Sequence, residues 1–104
     1  MRLRRSRFGE VVARQLDLFA EDEAALLEAV AERKRAYDRA PREDAEEAYG
    51  DYMDEVEGAT EALADMRDRF ASTLGEEAAE EYEQAFNRAV RRRWPPFGLE
   101  IENR

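Results

Sequence analysis

A seven-residue repeat between positions 49 and 73 is the feature that most restricts how this chain can fold. The repeated side chains recur in alternating steps of three and four, at Tyr49, Tyr52, Val56, Ala59, Leu63, Met66, Phe70 and Thr73. That spacing places one stripe of side chains along a helix and is typical of the seam between coiled-coil helices. The repeat therefore predicts a long helix whose seam is covered by another helix or by a second chain.

Prolines and glycines predict where the helices begin and end. The chain contains three prolines, at positions 41, 95 and 96. Because proline starts or stops a helix, we expect helices at about residues 6–39, 42–74 and 77–93, followed by a tail over residues 94–104. Gly75 is placed to end the second helix in a left-handed conformation.

The first helix and the tail carry weaker signals. One helical phase runs from Phe8 to Tyr37, which predicts one long helix with Ser6 as its N-cap, although a break near Asp22 is the alternative. In the tail, Phe97, Leu99 and Ile101 alternate with polar residues. Alternation of that kind predicts an extended arm laid over a groove or a partner.

These patterns together predict a single all-α domain over residues 1–104, built as an elongated antiparallel hairpin of two long helices with a shorter third helix and an extended tail. A helix of about 33 residues is about 50 Å long, which exceeds the diameter of about 34 Å expected for a compact chain of this size. The short third helix leaves seam surface uncovered, and a twofold partner is the commonest way to cover it. We therefore expect a homodimer that forms a larger bundle, with these seam residues at its interface: Tyr49, Tyr52, Val56, Leu63, Met66 and Phe70.

Composition narrows the classes of function. The sequence contains no cysteine and no histidine, so thiol chemistry and histidine-based acid–base or metal chemistry are excluded. The net charge of −9 opposes binding to nucleic acid or to anionic lipid. No apolar run is long enough to span a bilayer or to form a signal peptide, which predicts a cytoplasmic protein without a membrane contact.

A cluster of carboxylates on the second predicted helix is the one feature of the sequence that is typical of an enzyme. They lie at Asp51, Asp54, Glu57, Glu61, Asp65 and Asp68. Such density is similar to that of the MazG family, helical hydrolases of nucleoside triphosphates, and the resemblance implies a magnesium-dependent pyrophosphohydrolase. Relative to the seam, however, all six point away from the core, whereas a magnesium site needs carboxylates that converge in a cleft. We therefore predict a solvated face, no metal site and no cofactor.

Residues 15–19 read QLDLF. This resembles, letter for letter, the pentapeptide through which many bacterial replication and repair proteins bind the DNA polymerase sliding clamp. The resemblance implies that Leu18 and Phe19 fill a hydrophobic pocket on the clamp while Gln15 makes polar contacts. The helical phase predicts the opposite use, because Leu16 and Phe19 would then face the core and Leu18 its margin.

Two further features have a structural and a functional interpretation. The basic start, with Arg2, Arg4, Arg5 and Arg7, suits either a nucleic-acid arm or neutralisation of the acidic start of the third helix. Gly50 and Gly58 each cost about 1 kcal/mol relative to alanine inside a helix. They are either tolerated surface glycines or part of a small-residue strip that a second backbone approaches.

The sequence thus favours a small acidic helical interaction or scaffold protein without catalysis. The alternatives are an accessory protein of DNA replication or repair that binds the sliding clamp through QLDLF, and a metal-dependent pyrophosphohydrolase similar to MazG.

Overall fold

The computed structural model describes residues 7–104, and every regular element in that range is helical. The five α-helices are α1 (Gly9–Asp22), α2 (Ala24–Arg39), α3 (Ala45–Ala71), α4 (Glu76–Arg93) and α5 (Gly98–Glu102). Short 3₁₀ turns precede α3, over Arg42–Asp44, and α5, over Pro95–Phe97. The all-α class is confirmed, with more and shorter helices than the sequence predicted.

Helices α3 and α4 lie at the centre of the packing. Helices α1, α3 and α5 all contact α4, whereas α2 packs mainly against α3. The core residues from these helices that are fully buried include Leu16, Val56, Leu63, Tyr82 and Phe86. The chain measures 50 × 34 × 24 Å along its principal axes.

The first predicted helix is interrupted at Glu23, so the alternative of a break near Asp22 is correct. Glu23 leaves helical geometry, with φ −111° and ψ 32°, although its amide still donates to the Phe19 carbonyl. The helical periodicity of the buried residues continues across the break. Phe19 and Val30 are both buried and lie eleven residues apart, which is about three helical turns. The break lets α1 pack on α4 while α2 packs on α3.

The seven-residue seam follows the core of α3 only in part. The buried face of α3 passes through Tyr52, Val56, Leu63, Arg67 and Ala71, mostly in steps of four. A straight α-helix has 3.6 residues per turn, so a strict heptad stripe rotates by about 20° per repeat relative to a fixed direction. The seam therefore leaves the buried face toward its ends, where Tyr49 is 47% exposed and Thr73 is exposed.

The prediction of an extended tail is wrong, because residues 95–102 are helical. Phe97 and Ile101 are buried and lie four residues apart, whereas Leu99 between them is 78% exposed. The four-residue spacing of the two buried side chains is that of a helix. The alternation of apolar and polar residues therefore did not mark an extended segment. Gly98 is required at the start of α5, because an added Cβ would lie 2.8 Å from Cγ of Arg91.

The predicted left-handed end of α3 at Gly75 is also wrong. Gly75 has φ −67° and ψ 162° and is the N-cap of α4. Helix α3 ends at Ala71, where the hydroxyls of Ser72 and Thr73 donate to the carbonyls of Arg69 and Phe70, each at 2.7 Å. Because these hydroxyls satisfy carbonyls of the last turn, no left-handed residue is needed to do so.

Arg67 is the one buried charged side chain among the described residues, at 4% exposure. Its Nε donates to Asp68 at 2.8 Å, and one terminal nitrogen donates both to Asn87 Oδ1 at 2.9 Å and to the Ile101 carbonyl at 3.1 Å. The guanidinium therefore joins α3 to α4 and to α5. It holds the tail helix against the core.

We predict that Arg67→Met lowers the free energy of unfolding by roughly 2 to 4 kcal/mol, because the amide oxygen of Asn87 and the carbonyl of Ile101 lose their buried donor. Methionine keeps the apolar stem, so the loss reports the hydrogen bonds. Urea unfolding measures the loss, and amide exchange in residues 98–102 should accelerate. The exposed Arg88→Met is the matched control and should change stability by less than about 0.5 kcal/mol. Equal effects of the two substitutions would contradict this role of Arg67.

Candidate functional site

The QLDLF pentapeptide lies entirely within α1. Leu16 and Phe19 are each 2% exposed, whereas Leu18 is 50% exposed. The Tyr82 hydroxyl donates to Gln15 Oε1 at 2.7 Å. Gln15, Leu16 and Phe19 thus have partners in the core of this chain, whereas Leu18 faces outward.

The other contacts of the pentapeptide tie α1 to the C-terminal end of α4. Arg93 donates to Asp17 Oδ1 at 2.6 Å, and the Phe19 ring meets Trp94 edge-on with centroids 5.8 Å apart. Burial raises the pKa of Tyr82, the partner of Gln15, to about 12. The Tyr82 hydroxyl therefore stays protonated at neutral pH and donates its hydrogen bond to Gln15.

A groove with apolar and charged lining residues, which we call the α1–α3 groove, opens between α1 and α3. It consists of two adjoining clefts of about 340 and 280 Å³ that share Met66 and Arg69. Its lining residues are Phe19, Asp22, Glu23, Ala62, Asp65, Met66, Arg69, Phe70 and Thr73. Leu18 lies one turn before Asp22 on the same face of α1; it is exposed and lies outside the lining of the two clefts.

The seam residues predicted for a dimer interface divide into two groups. Tyr52, Val56 and Leu63 are buried within this chain. Met66 and Phe70 are partly exposed and line the α1–α3 groove, where the Phe70 ring packs 4.7 Å from that of Tyr82. Tyr49 is exposed at the opposite end of α3 and packs on Tyr37.

The six carboxylates of α3 all point to solvent, as the seam predicted. They are Asp51, Asp54, Glu57, Glu61, Asp65 and Asp68, and each is exposed. Asp51 is paired with Arg33 at 3.8 Å and Asp68 with Arg67 at 2.8 Å. Within residues 7–104, no three Asp, Glu, His or Cys side chains are grouped so that they could hold a metal ion.

Of the four arginines at the start of the sequence, Arg7 is the one that the structure describes. Its Nε lies 3.3 Å from Glu81 on α4, so this residue does pair with the acidic start of that helix. Ser6, Arg2, Arg4 and Arg5 lie outside the described residues. Gly50 and Gly58 are exposed, and a Cβ added at either would meet no atom within 4 Å.

The sequence patterns did not predict a second cleft, between α2 and the turn that follows α4. Its lining residues are Leu27, Val30, Ala31, Lys34, Tyr52, Trp94, Pro96 and Phe97. The only sequence signal was the run Trp94–Pro95–Pro96, which predicted a helix end. The position of this turn depends in part on its packing against α3, which joins residues far apart in the sequence.

Leu16→Ala should lower the free energy of unfolding by roughly 2 to 5 kcal/mol, because it opens a cavity in the core. Leu18→Ala should cost less than about 1 kcal/mol, since half of that side chain is already in water. Chemical denaturation measures both, and the two substitutions are matched controls for each other. Slow amide exchange across residues 15–19 should accompany the result. Equal losses would mean that α1 is not packed as described.

Among the described residues, no helix is both long enough and apolar enough to cross a bilayer. Comparison of the chain with family models, with curated proteins and with solved structures finds no match. We therefore infer function from the packing, exposure and charge of this chain's own residues.

Proposed function

We propose that this chain is a non-catalytic helical interaction module that acts as a homodimer, with the α1–α3 groove as its interface. The observation that carries the proposal is that the seam of α3 leaves the core at Met66 and Phe70, so that partly exposed apolar side chains continue a pattern that is buried from Tyr52 to Leu63. Apolar seam residues at a surface are those that a second helix can cover.

The outward side of α1 extends this surface. Val11 and Leu18 lie seven residues apart on the same face, and both are at least partly exposed. Gln15 on that side of α1 accepts from Tyr82, whose ring contacts Phe70. We therefore include Leu18 with the groove in the proposed interface.

Charges at the rim of the groove suit a second copy of the same surface. Arg69 lies on α3 beside Asp65, and across the groove lie Asp22, at the end of α1, and Glu23, at the break after it. In a twofold dimer, each contact between two residues occurs twice. A rim that carries positive and negative charges can therefore pair with the same rim of a second copy. Opposite charges across such an interface fix the register of the two copies.

Light scattering at micromolar concentration should give twice the chain mass. Leu18→Glu should yield a folded monomer, because the side chain is outside the core and a carboxylate would be placed in the apolar interface. The exposed Leu99→Glu on α5 is the matched control and should remain dimeric. A monomeric native chain, or a dimer that tolerates Leu18→Glu, would contradict the proposal.

A second candidate function is binding to the polymerase sliding clamp through QLDLF. The complete pentapeptide and the exposure of Leu18 favour it, whereas the burial of Phe19 requires that α1 detach from α4 before binding. Exposing a buried phenylalanine costs roughly 1.5 to 3 kcal/mol.

If the clamp is the partner, Leu18→Ala and Phe19→Ala should abolish retention of the chain on the host clamp, and Gln15→Ala should weaken it. A pull-down with purified clamp measures retention, and Leu99→Ala serves as the control. No affinity of the native chain at tens of micromolar would eliminate this function.

A further inference from the structure

The cleft between α2 and the turn after α4 has a volume of about 250 Å³. Val30, Tyr52 and Phe97 form its walls and are also members of the hydrophobic core. Because packed core residues cannot collapse inward, these walls keep the cleft open. Pro96 at its edge has a fixed φ and adds rigidity.

The inner surface of the cleft is almost entirely apolar. Helix α2 contributes aliphatic side chains, and the opposite wall contributes the rings of Trp94 and Phe97, whose centroids lie 6.0 Å apart. Lys34 is the one charged residue among those that line it, and Tyr52 supplies the one hydroxyl. Ligand sites commonly combine such an apolar interior with a few polar groups that orient the ligand.

Lys34 remains able to bind an anion in addition to its present partner. Its Nζ lies 2.8 Å from both carboxylate oxygens of Asp38, which is half-exposed on the next turn of α2. An ammonium group has three donors, and these two contacts leave at least one unused. The hydrogen bond to Asp38 raises the pKa of Lys34, so the ammonium stays charged at neutral pH.

We propose that this cleft binds a small amphipathic carboxylate, a free acid with an apolar tail of about eight to ten carbon atoms. The tail would lie between α2 and the rings of Trp94 and Phe97, and the carboxylate would accept hydrogen bonds from Lys34 and Tyr52. A cavity of about 150 Å³ holds a six-carbon ring, so about 250 Å³ accommodates roughly ten carbon atoms. This site is separate from the α1–α3 groove and does not depend on the homodimer.

Trp94 gives the experiment a direct signal, because it is the only tryptophan in the chain and it lines the cleft. We would titrate the full chain with octanoate, below the concentration at which it aggregates, and with 1-octanol as a neutral probe of equal length. Octanoate should shift Trp94 emission to shorter wavelength in a saturable manner. Octanol should bind about fivefold more weakly, the factor expected for one partly exposed ion pair.

Two variants and a control separate the tail from the head group. Lys34→Gln should remove the preference for octanoate over octanol, whereas Ala31→Phe should fill the cleft and abolish the shift with both probes. Arg33→Gln, exposed on the same helix and outside the cleft, should bind as the native chain does. Far-ultraviolet circular dichroism verifies folding, and Lys34→Gln alone remains decisive if Ala31→Phe unfolds.

The proposal is overturned if neither probe produces a saturable shift, or if octanol binds the native chain as tightly as octanoate does. It is equally overturned if Lys34→Gln keeps the full preference for octanoate, or if a folded Ala31→Phe variant binds octanoate like the native chain.

Discussion

The packing of α1 on α4 depends on the burial of Leu16 and Phe19 together with the hydrogen bond from the Tyr82 hydroxyl to Gln15. Tyr82 is wholly buried, and its ring contacts Phe8, Phe70 and Phe86. A buried hydroxyl without a partner would cost about 1 to 3 kcal/mol, and burial of each apolar side chain contributes roughly 1.5 to 3 kcal/mol. The hydrogen bond and the two buried side chains therefore favour the same rotation of α1, which leaves Leu18 outside.

Much of the local structure could be predicted because it depends on spacing along the chain. Helix α4 was expected at about residues 77–93 and spans Glu76–Arg93, since its acidic start, basic end and apolar face all agree. The inward direction of Leu16 and Phe19 followed from the same periodicity. By contrast, the role of Arg67 could not be predicted, because its acceptors Asn87 and Ile101 lie 20 and 34 residues away.

The heptad on α3 was interpreted as one continuous interface, and the structure divides it. Its first half, around Val56 and Leu63, is satisfied within the chain, and its second half reaches the surface at Met66 and Phe70. Periodicity specifies one face of a helix but not which neighbouring element covers that face. A heptad pattern also does not show that, on a straight helix, the stripe of repeated residues rotates gradually away from a fixed direction.

The contacts of α1 have a consequence for the order in which the chain gains structure during synthesis. Gln15 bonds to a residue 67 positions later, and Asp17 to one 76 positions later. Helices α2 and α3 are neighbours in sequence and can pair early, because closing a short loop costs little entropy. Helix α1 is made before α4, so it lacks its partner until α4 has left the ribosome. Until then, Leu16 and Phe19 are exposed to chaperones, to proteases and to any protein that recognises an unpaired apolar segment.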